Sequence, residues 1–276
     1  MEISLPVTLA VLGAALLHAA WNALVKSSDD KLLDVTVIGL GAAACAIVVA
    51  PWVAFPARES WPWMAASAAV HILYFLCVAG AYRWGELSYS YPLMRGGGPM
   101  LVALAGFAAF GEVLPPMETL GVALICAGIL AFASGRHDHR ATLYALANAV
   151  VIAAYTLIDA QGARASGAPV GYTLWFFVLS GLAIGAVVLA MRGRALPDYL
   201  RRNWARATLG GGLSAVSYAV ALWAMTLAPV ALVAVLRETS VIFGAVIAAL
   251  FLNEKMTRRR LAATGAVMAG LIALRI

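Results

Sequence analysis

Two arginines, Arg95 and Arg237, lie inside stretches that are otherwise almost wholly apolar. Arg95 sits in YPLMRGGGPM (91–100), where Pro92 and Pro99 frame Gly96, Gly97 and Gly98; Arg237 is followed directly by Glu238. A guanidinium is permanently charged and presents a planar fork of donors that matches a carboxylate, so the chemistry it offers is anion recognition rather than proton transfer. Groups that can carry a proton are few: Glu238 and Asp159 first, then His18 and His71. Around them run stripes at helical spacing. His18 and Asn22 are four apart with Trp21 beside them, and His71 and Tyr74 are three apart with Tyr82 two turns on. Asn148, Tyr155 and Asp159 follow at intervals of seven and four, and Ser214, Ser217 and Tyr218 form a fourth stripe. Such spacings put side chains on one helix face. Aromatic members can stack a ring while polar members orient charged ends of a small molecule. Each stripe taken alone suits helix packing or interfacial anchoring equally well.

The parts for covalent chemistry are missing. There is no HExxH, GxSxG or Walker pattern, and of four histidines His137 and His139 belong to the polar run GRHDHR. Cys45, Cys77 and Cys126 stand apart within apolar runs, with no CxxC, and read as small buried side chains rather than as disulfide partners or metal ligands. An intramembrane enzyme and an ATP-driven pump are therefore disfavoured, and no metal is expected. A purely structural subunit is disfavoured by charges held inside apolar segments.

The elements that must position these residues are membrane spans. The chain has 276 residues, 63% hydrophobic and 12% charged, against roughly 25% charged in soluble domains. Ten apolar runs have the ~20-residue length that crosses a bilayer: 5–26, 34–55, 61–82, 88–111, 117–134, 141–160, 170–191, 205–226, 229–252 and 259–275. The first continues into Trp21, Asn22 and Lys26 as a spanning helix does, unlike a cleaved leader. The longest loop, from Arg192 to about Trp204, has room for a cap or an amphipathic segment. Trp52, Trp61, Trp63 and Trp204 fall at span ends, where an interfacial belt accounts for them.

The net charge of +6 is explained by loop anchors rather than by a nucleic-acid partner. Of 19 Lys and Arg, fourteen fall in loops after odd-numbered spans, while Arg58, Arg164 and Arg275 fall on the other face. By the positive-inside rule the odd loops are cytoplasmic and both termini lie outside.

The two halves repeat. At an offset of 142, MRGGGPMLVALAGFAAFGE (94–112) aligns with LRETSVIFGAVIAALFLNE (236–254), placing Arg95 on Arg237, Glu112 on Glu254 and, further on, Gly128 on Gly270. At an offset of 134, AAWNALV (19–25) aligns with AAYTLID (153–159), so that Trp21 meets Tyr155. With five spans per half, the second copy enters the bilayer from the opposite side, which is an inverted repeat of the kind transporters use.

These residues carry a resemblance. HAAWNALVK near the start, spans ending in GE or NE, and PPMETLGVALICAGILAF resemble the EamA group of the drug/metabolite transporter superfamily, and more narrowly the YddG-type amino acid exporters. The resemblance extends over nearly the whole chain. It implies an all-α membrane protein of ten helices in two inverted five-helix repeats (1–135 and 141–276) around a central cavity, without a cofactor. Relatives commonly have basic termini, whereas this chain begins MEISLP and ends LRI.

Within that frame Pro92, Gly96, Gly97, Gly98 and Pro99 should kink or open span 4 as a hinge, freeing backbone groups that line a polar cavity; the alternative is that the glycines only permit close packing. The arginines either meet a substrate carboxylate or form an ion pair, Arg237–Glu238 or between helices, that pins or gates the bundle. The expected function is a secondary transporter in the bacterial inner membrane that exports amino acids, aromatic and other bulky neutral ones, by alternating access. Substrate-binding candidates are His18, Trp21, Asn22, His71, Tyr74, Tyr82, Arg95, Tyr155, Ser214, Ser217, Tyr218 and Arg237; Asp159 and Glu238 are gating or proton-coupling candidates. Expected partners are the small-molecule cargo and the lipid bilayer, with the chain as a monomer. The alternative cargoes are other small metabolites or drugs, or sugar phosphates and nucleotide sugars, since two arginines also suit phosphate.

Overall fold

A computed structural model of the chain describes residues 3–85, 90–91, 93–95, 101, 116–132, 138–251, 258, 262, 265–266 and 268–270. The regular elements among them are helices. We number them α1 (Leu5–Lys26), α2 (Lys31–Val49), α3 (Trp61–Trp84), α4 (Pro116–Phe132), α5 (His139–Ala165), α6 (Pro169–Arg192), α7 (Ala195–Arg202), α8 (Trp204–Leu227), α9 (Val230–Arg237) and α10 (Ser240–Phe251). Seven stretches among the described residues are long and apolar enough to cross a bilayer, and Thr119–Gly128 within α4 is a shorter apolar helix. Most of the expected spans 4 and 10 lies outside the described residues, as do the hinge candidates Pro92, Gly96, Gly97, Gly98 and Pro99.

Local chemistry sets the ends. Asp30 caps α2 by accepting from the Leu32 and Leu33 amides at 3.1 Å, and Asp138 caps α5 by accepting from the Arg140 amide at 2.7 Å. Proline occupies the first turn of α1, α3 and α6, where the missing donor costs nothing. Gly167 and Gly193 take positive φ, 60° and 54°, on either side of α6 and turn the chain there. The Arg192–Trp204 loop folds into the short amphipathic α7, which buries Leu196 and leaves Asp198, Arg201 and Arg202 outward.

Span 9 is not continuous. It breaks between α9 and α10 at Glu238 and Thr239, where the amides of both residues bond back three positions, to Val235 O and Leu236 O, at 3.0 and 3.1 Å. The Thr239 hydroxyl also donates to Leu236 O at 2.7 Å. A tightened turn of this kind re-aims the residues on either side of it.

Helices of one half pack mainly on helices of the other. α1 lies against α8 and α10, α3 against α5, and α2 against both α6 and α8, while α3 also meets α6. Lipid offers no hydrophobic drive between helices, so close backbone approach through small residues must supply the packing. Gly41 faces the Ala207 carbonyl, Gly211 faces the Ala42 amide, and Gly181 faces the Gly39 carbonyl; a Cβ at any of the three would meet backbone. These contacts weld α2, α6 and α8 into one seam. Gly211→Val should cost at least ~1–3 kcal/mol by overpacking against backbone that cannot yield. Gly13→Ala, with nothing within 4 Å of the new Cβ, should be neutral. Thermal unfolding of the detergent-purified protein measures both.

Candidate functional site

A set of buried polar side chains forms one connected group. Asp159, on α5, accepts a hydrogen bond from the Tyr172 hydroxyl at 2.8 Å and a second from the Tyr218 hydroxyl. Tyr172 comes from α6 and Tyr218 from α8, so a single carboxylate joins three helices of the second half. The Arg237 guanidinium lies 5.1 Å from the centroid of the Tyr218 ring, on which it stacks as a cation on a π face.

His71, on α3, anchors an aromatic box. Its Nδ1 is 3.0 Å from Ser67 O and 3.2 Å from Ser67 Oγ, which holds the ring plane. Ring centroids lie 4.2 Å away for Tyr155, 4.6 Å for Phe176, 5.6 Å for Tyr74 and 6.3 Å for Tyr218. These tilted and edge-on arrangements are the ones aromatic quadrupoles prefer. The walls therefore come from α3, α5, α6 and α8, across both halves of the chain.

Arg95 Nε lies 2.6 Å from Glu238 Oε2, with both side chains about 3–4% exposed. The contact is a close, buried ion pair. Five residues before Arg95, the Ser90 hydroxyl donates to Ala81 O of α3 at 3.3 Å. Glu238 lies at the break between α9 and α10. Four residues before Arg95 and two after Glu238, the Tyr91 hydroxyl and Ser240 Oγ are 3.1 Å apart.

On α1, Trp21 Nε1 donates to His18 Nδ1 at 3.2 Å, and Asn22 Nδ2 donates to His18 O at 2.8 Å. With Nδ1 accepting, the neutral His18 ring carries its proton on Nε2. That Nε2, Arg95 Nη2, Arg237 Nε and Asn148 Oδ1 are buried and have no hydrogen-bond partner among the described residues. His18 lies within electrostatic reach of both arginines. Asn148 otherwise spends its amide on Met94 Sδ at 3.0 Å.

The structure thus gathers most of the residues singled out from sequence. His18, Trp21, Asn22, His71, Tyr74, Arg95, Tyr155, Tyr218, Arg237, Asp159 and Glu238 belong to this group, and Tyr82 lies half-buried near Tyr74, Tyr91 and Arg95. Ser217 does not join as a ligand group: its hydroxyl donates to Ala14 O at 2.8 Å and fastens α8 to α1. Ser214 is half-buried and takes no part in the cluster's hydrogen bonds. The ion pair forms as Arg95–Glu238, between halves, rather than between the neighbours Arg237 and Glu238. Tyr172 and Phe176 escaped the sequence reading, although they sit in YTLWFF at the start of α6, a dense aromatic run four apart on one face.

A second polar cluster, also not foreseen, lies at the face carrying the odd-numbered loops. Asp34 is fully buried near the start of α2; Arg206 Nε lies 3.0 Å from its Oδ1, which also accepts from the Tyr199 hydroxyl at 3.0 Å. Burial and the Asp34 carboxylate push the Tyr199 phenol up to about 12, so it stays a donor at physiological pH. Arg206 Nη2 reaches on to Leu24 O and, at 2.8 Å, to Ser27 Oγ. This knot ties α1 and α2 to α7 and α8. On the opposite face the Ala57 amide donates to Ser166 O at 3.1 Å. Separate from both, an apolar cleft of about 490 Å³ opens among α2, α6 and α8 beside Cys45, Leu174, Gly212 and Trp223. It lacks charged groups to orient a polar head.

The described residues form a many-spanning helical bundle with a charged, aromatic interior, the architecture of a multi-pass membrane protein. Residues 139–276 match the description "EamA-like transporter family", and the chain belongs to that family. Among solved structures, one crystal-structure chain superimposes with a TM-score of 0.75 at 17% identity, covering 98% of this chain and 98% of its own, which is a likeness of fold. No curated protein matches in sequence.

Breaking the buried pair from one side strands a charge. Arg95→Met or Glu238→Gln should destabilise the purified protein by ~3–5 kcal/mol, whereas Arg95→Met combined with Glu238→Met should recover most of that loss. Melting temperatures of the three variants test this.

Proposed function

We propose that the protein is a secondary transporter that exports amino acids, aromatic and other bulky neutral ones, by alternating access across the bacterial cytoplasmic membrane. The observation that carries this reading is a set of buried, unpartnered polar atoms on Arg95, Arg237, His18 and Asn148 beside an aromatic box. Inside a bilayer such atoms are costly when idle, and a bound solute with a carboxylate and an apolar ring satisfies them together. Arg95 through Nη2 and Arg237 through Nε each offer a carboxylate a donor that has no partner among the described residues. Tyr155, Tyr74, Phe176 and His71 supply the surface against which a ring stacks.

The proposed architecture is ten helices in two inverted five-helix repeats, 1–135 and 141–276, working as a monomer. Its support is reciprocal packing: α1 on α8 answers α5 on α3, α2 on α8 answers α6 on α3, and α2 and α6 meet each other. The break after Arg237 falls where the offset of 142 puts Gly96, which is the hinge position expected in the first copy. Two like halves with like contacts give two packings of similar free energy, one open to each side.

Counterflow into proteoliposomes with radiolabelled phenylalanine, threonine and a sugar phosphate tests the cargo. Exchange of phenylalanine above threonine is expected. Exchange of the sugar phosphate alone would replace this reading with the phosphate-carrier one. Tyr155→Leu should raise the KM for phenylalanine roughly 3–10-fold, the equivalent of ~0.5–1.5 kcal/mol of aromatic contact, with little change for threonine.

Orientation follows the loops. Because fourteen basic residues lie after odd-numbered spans, a reporter fused to the C-terminus should be active only if it functions outside the cytoplasm; activity of a cytoplasm-dependent reporter would reverse the assignment.

A further inference from the structure

Resting on that reading, we propose that the Arg95–Glu238 ion pair is the receptor for the cargo's zwitterionic head, which splits the pair: the cargo carboxylate takes Arg95 and its ammonium takes Glu238. The pair is built to be opened. Its two atoms stand 2.6 Å apart, and Arg95 Nη2 has no partner among the described residues. A guanidinium has five donors and a carboxylate about four acceptor sites, so one contact leaves capacity on both groups for a ligand. Glu238 also sits at the break between α9 and α10, where the backbone is not locked into one continuous helix.

Charge conservation makes the receptor selective. Buried charges among the described residues are Arg95, Arg237, Asp159 and Glu238 in this cluster, with Asp34 at the odd-loop face against Arg206. Within the cluster two positive charges balance two negative ones. A simple anion that took Arg95 would leave the cluster with an uncompensated negative charge, and a simple cation that took Glu238 would leave it with an uncompensated positive one. Either outcome is strongly unfavourable in a medium of low dielectric. A molecule carrying both charges on neighbouring atoms leaves every group paired. An α-amino acid has that arrangement; a sugar phosphate does not.

Splitting the pair has a conformational consequence. Arg95 belongs to the first half and Glu238 to the second, so the cargo replaces a direct charge contact between halves with one that runs through itself. Occupied and empty protein therefore differ in how the halves are joined, which is the differential interaction that a population shift requires.

A set of ligands sharing one side chain isolates the head group: phenylalanine as zwitterion, phenylalaninamide as cation and N-acetylphenylalanine as anion. Binding to the full purified chain is read by competition against radiolabelled phenylalanine and by ligand-dependent melting. In the parent protein the amide and the N-acetyl compound should each bind at least ~100-fold more weakly than phenylalanine. Glu238→Gln should shrink the penalty on the anion to under ~10-fold and leave the penalty on the cation. Asp34→Asn removes one buried negative charge outside the cluster, and should keep the full discrimination. If Asp34→Asn relaxes the anion penalty as much as Glu238→Gln, or if Glu238→Gln leaves the ranking unchanged, the pair is not the receptor. Should the three compounds bind equally well to the parent protein, amino acid transport stands and the split pair is overturned. Binding of a sugar phosphate with none of the three would overturn both.

Discussion

Everything in this bundle follows from the cost of holding charge inside a bilayer. A lone ionic side chain at mid-span costs at least ~2.5–3.5 kcal/mol on insertion scales, so it persists only with compensation. Here the compensation is supplied by helices from different parts of the chain. Glu238 answers Arg95 across the two halves, and Asp159 is held by two tyrosine hydroxyls with Arg237 beyond the ring of one of them. Each such contact fixes which helices converge. The Tyr172–Asp159–Tyr218 bridge gathers α5, α6 and α8, and the Arg95–Glu238 pair brings Arg95 to the break in span 9.

The elements themselves were legible because a bilayer imposes length and composition together. Span 1 was placed at 5–26 and α1 is Leu5–Lys26; span 7 was placed at 170–191 and α6 is Pro169–Arg192. Partners were much less legible. Adjacency in sequence suggested Arg237–Glu238, but neighbouring positions on a helix point about 100° apart, and only residues three or four apart face one another. With the backbone turning at Glu238, its carboxylate is free to meet a residue 143 positions away in the chain, counted from Arg95 to Glu238. Tyr172, which completes the Asp159 bridge, left a trace only as one member of an aromatic run. A serine's role is decided by whichever carbonyl is nearest, which is why Ser217 became a fastener of α8 on α1.

The Asp34–Arg206–Tyr199 knot illustrates a different limit. Asp34 lies four residues into an apolar helix, where an acid near a span end reads as interfacial and unremarked. It is buried because α7 folds back over the start of α2 and delivers Tyr199, while α8 delivers Arg206. Nothing in the local pattern of α2 specifies that cover. The information lies in the short amphipathic α7 and in the Gly41–Ala207 and Gly211–Ala42 approaches, which bring α8 close enough for its first turn to reach across.

The two kinds of contact divide the labour of the proposed cycle. Where glycine brings backbone against backbone, along α2, α6 and α8, no side-chain rearrangement can substitute for the fit, and the helices there must move as bodies or not at all. Where the contact is ionic or aromatic, at Arg95–Glu238 and around His71, one partner can be exchanged for another of like chemistry at little net cost, provided charge stays balanced. A stiff seam with an exchangeable centre is what a carrier needs: the seam transmits motion across the thickness of the membrane, and the centre alone senses whether cargo is present. The reverse placement, with ion pairs along the lipid-facing seam and glycine contacts in the middle, would strand charge against hydrocarbon and leave no group able to respond to a ligand.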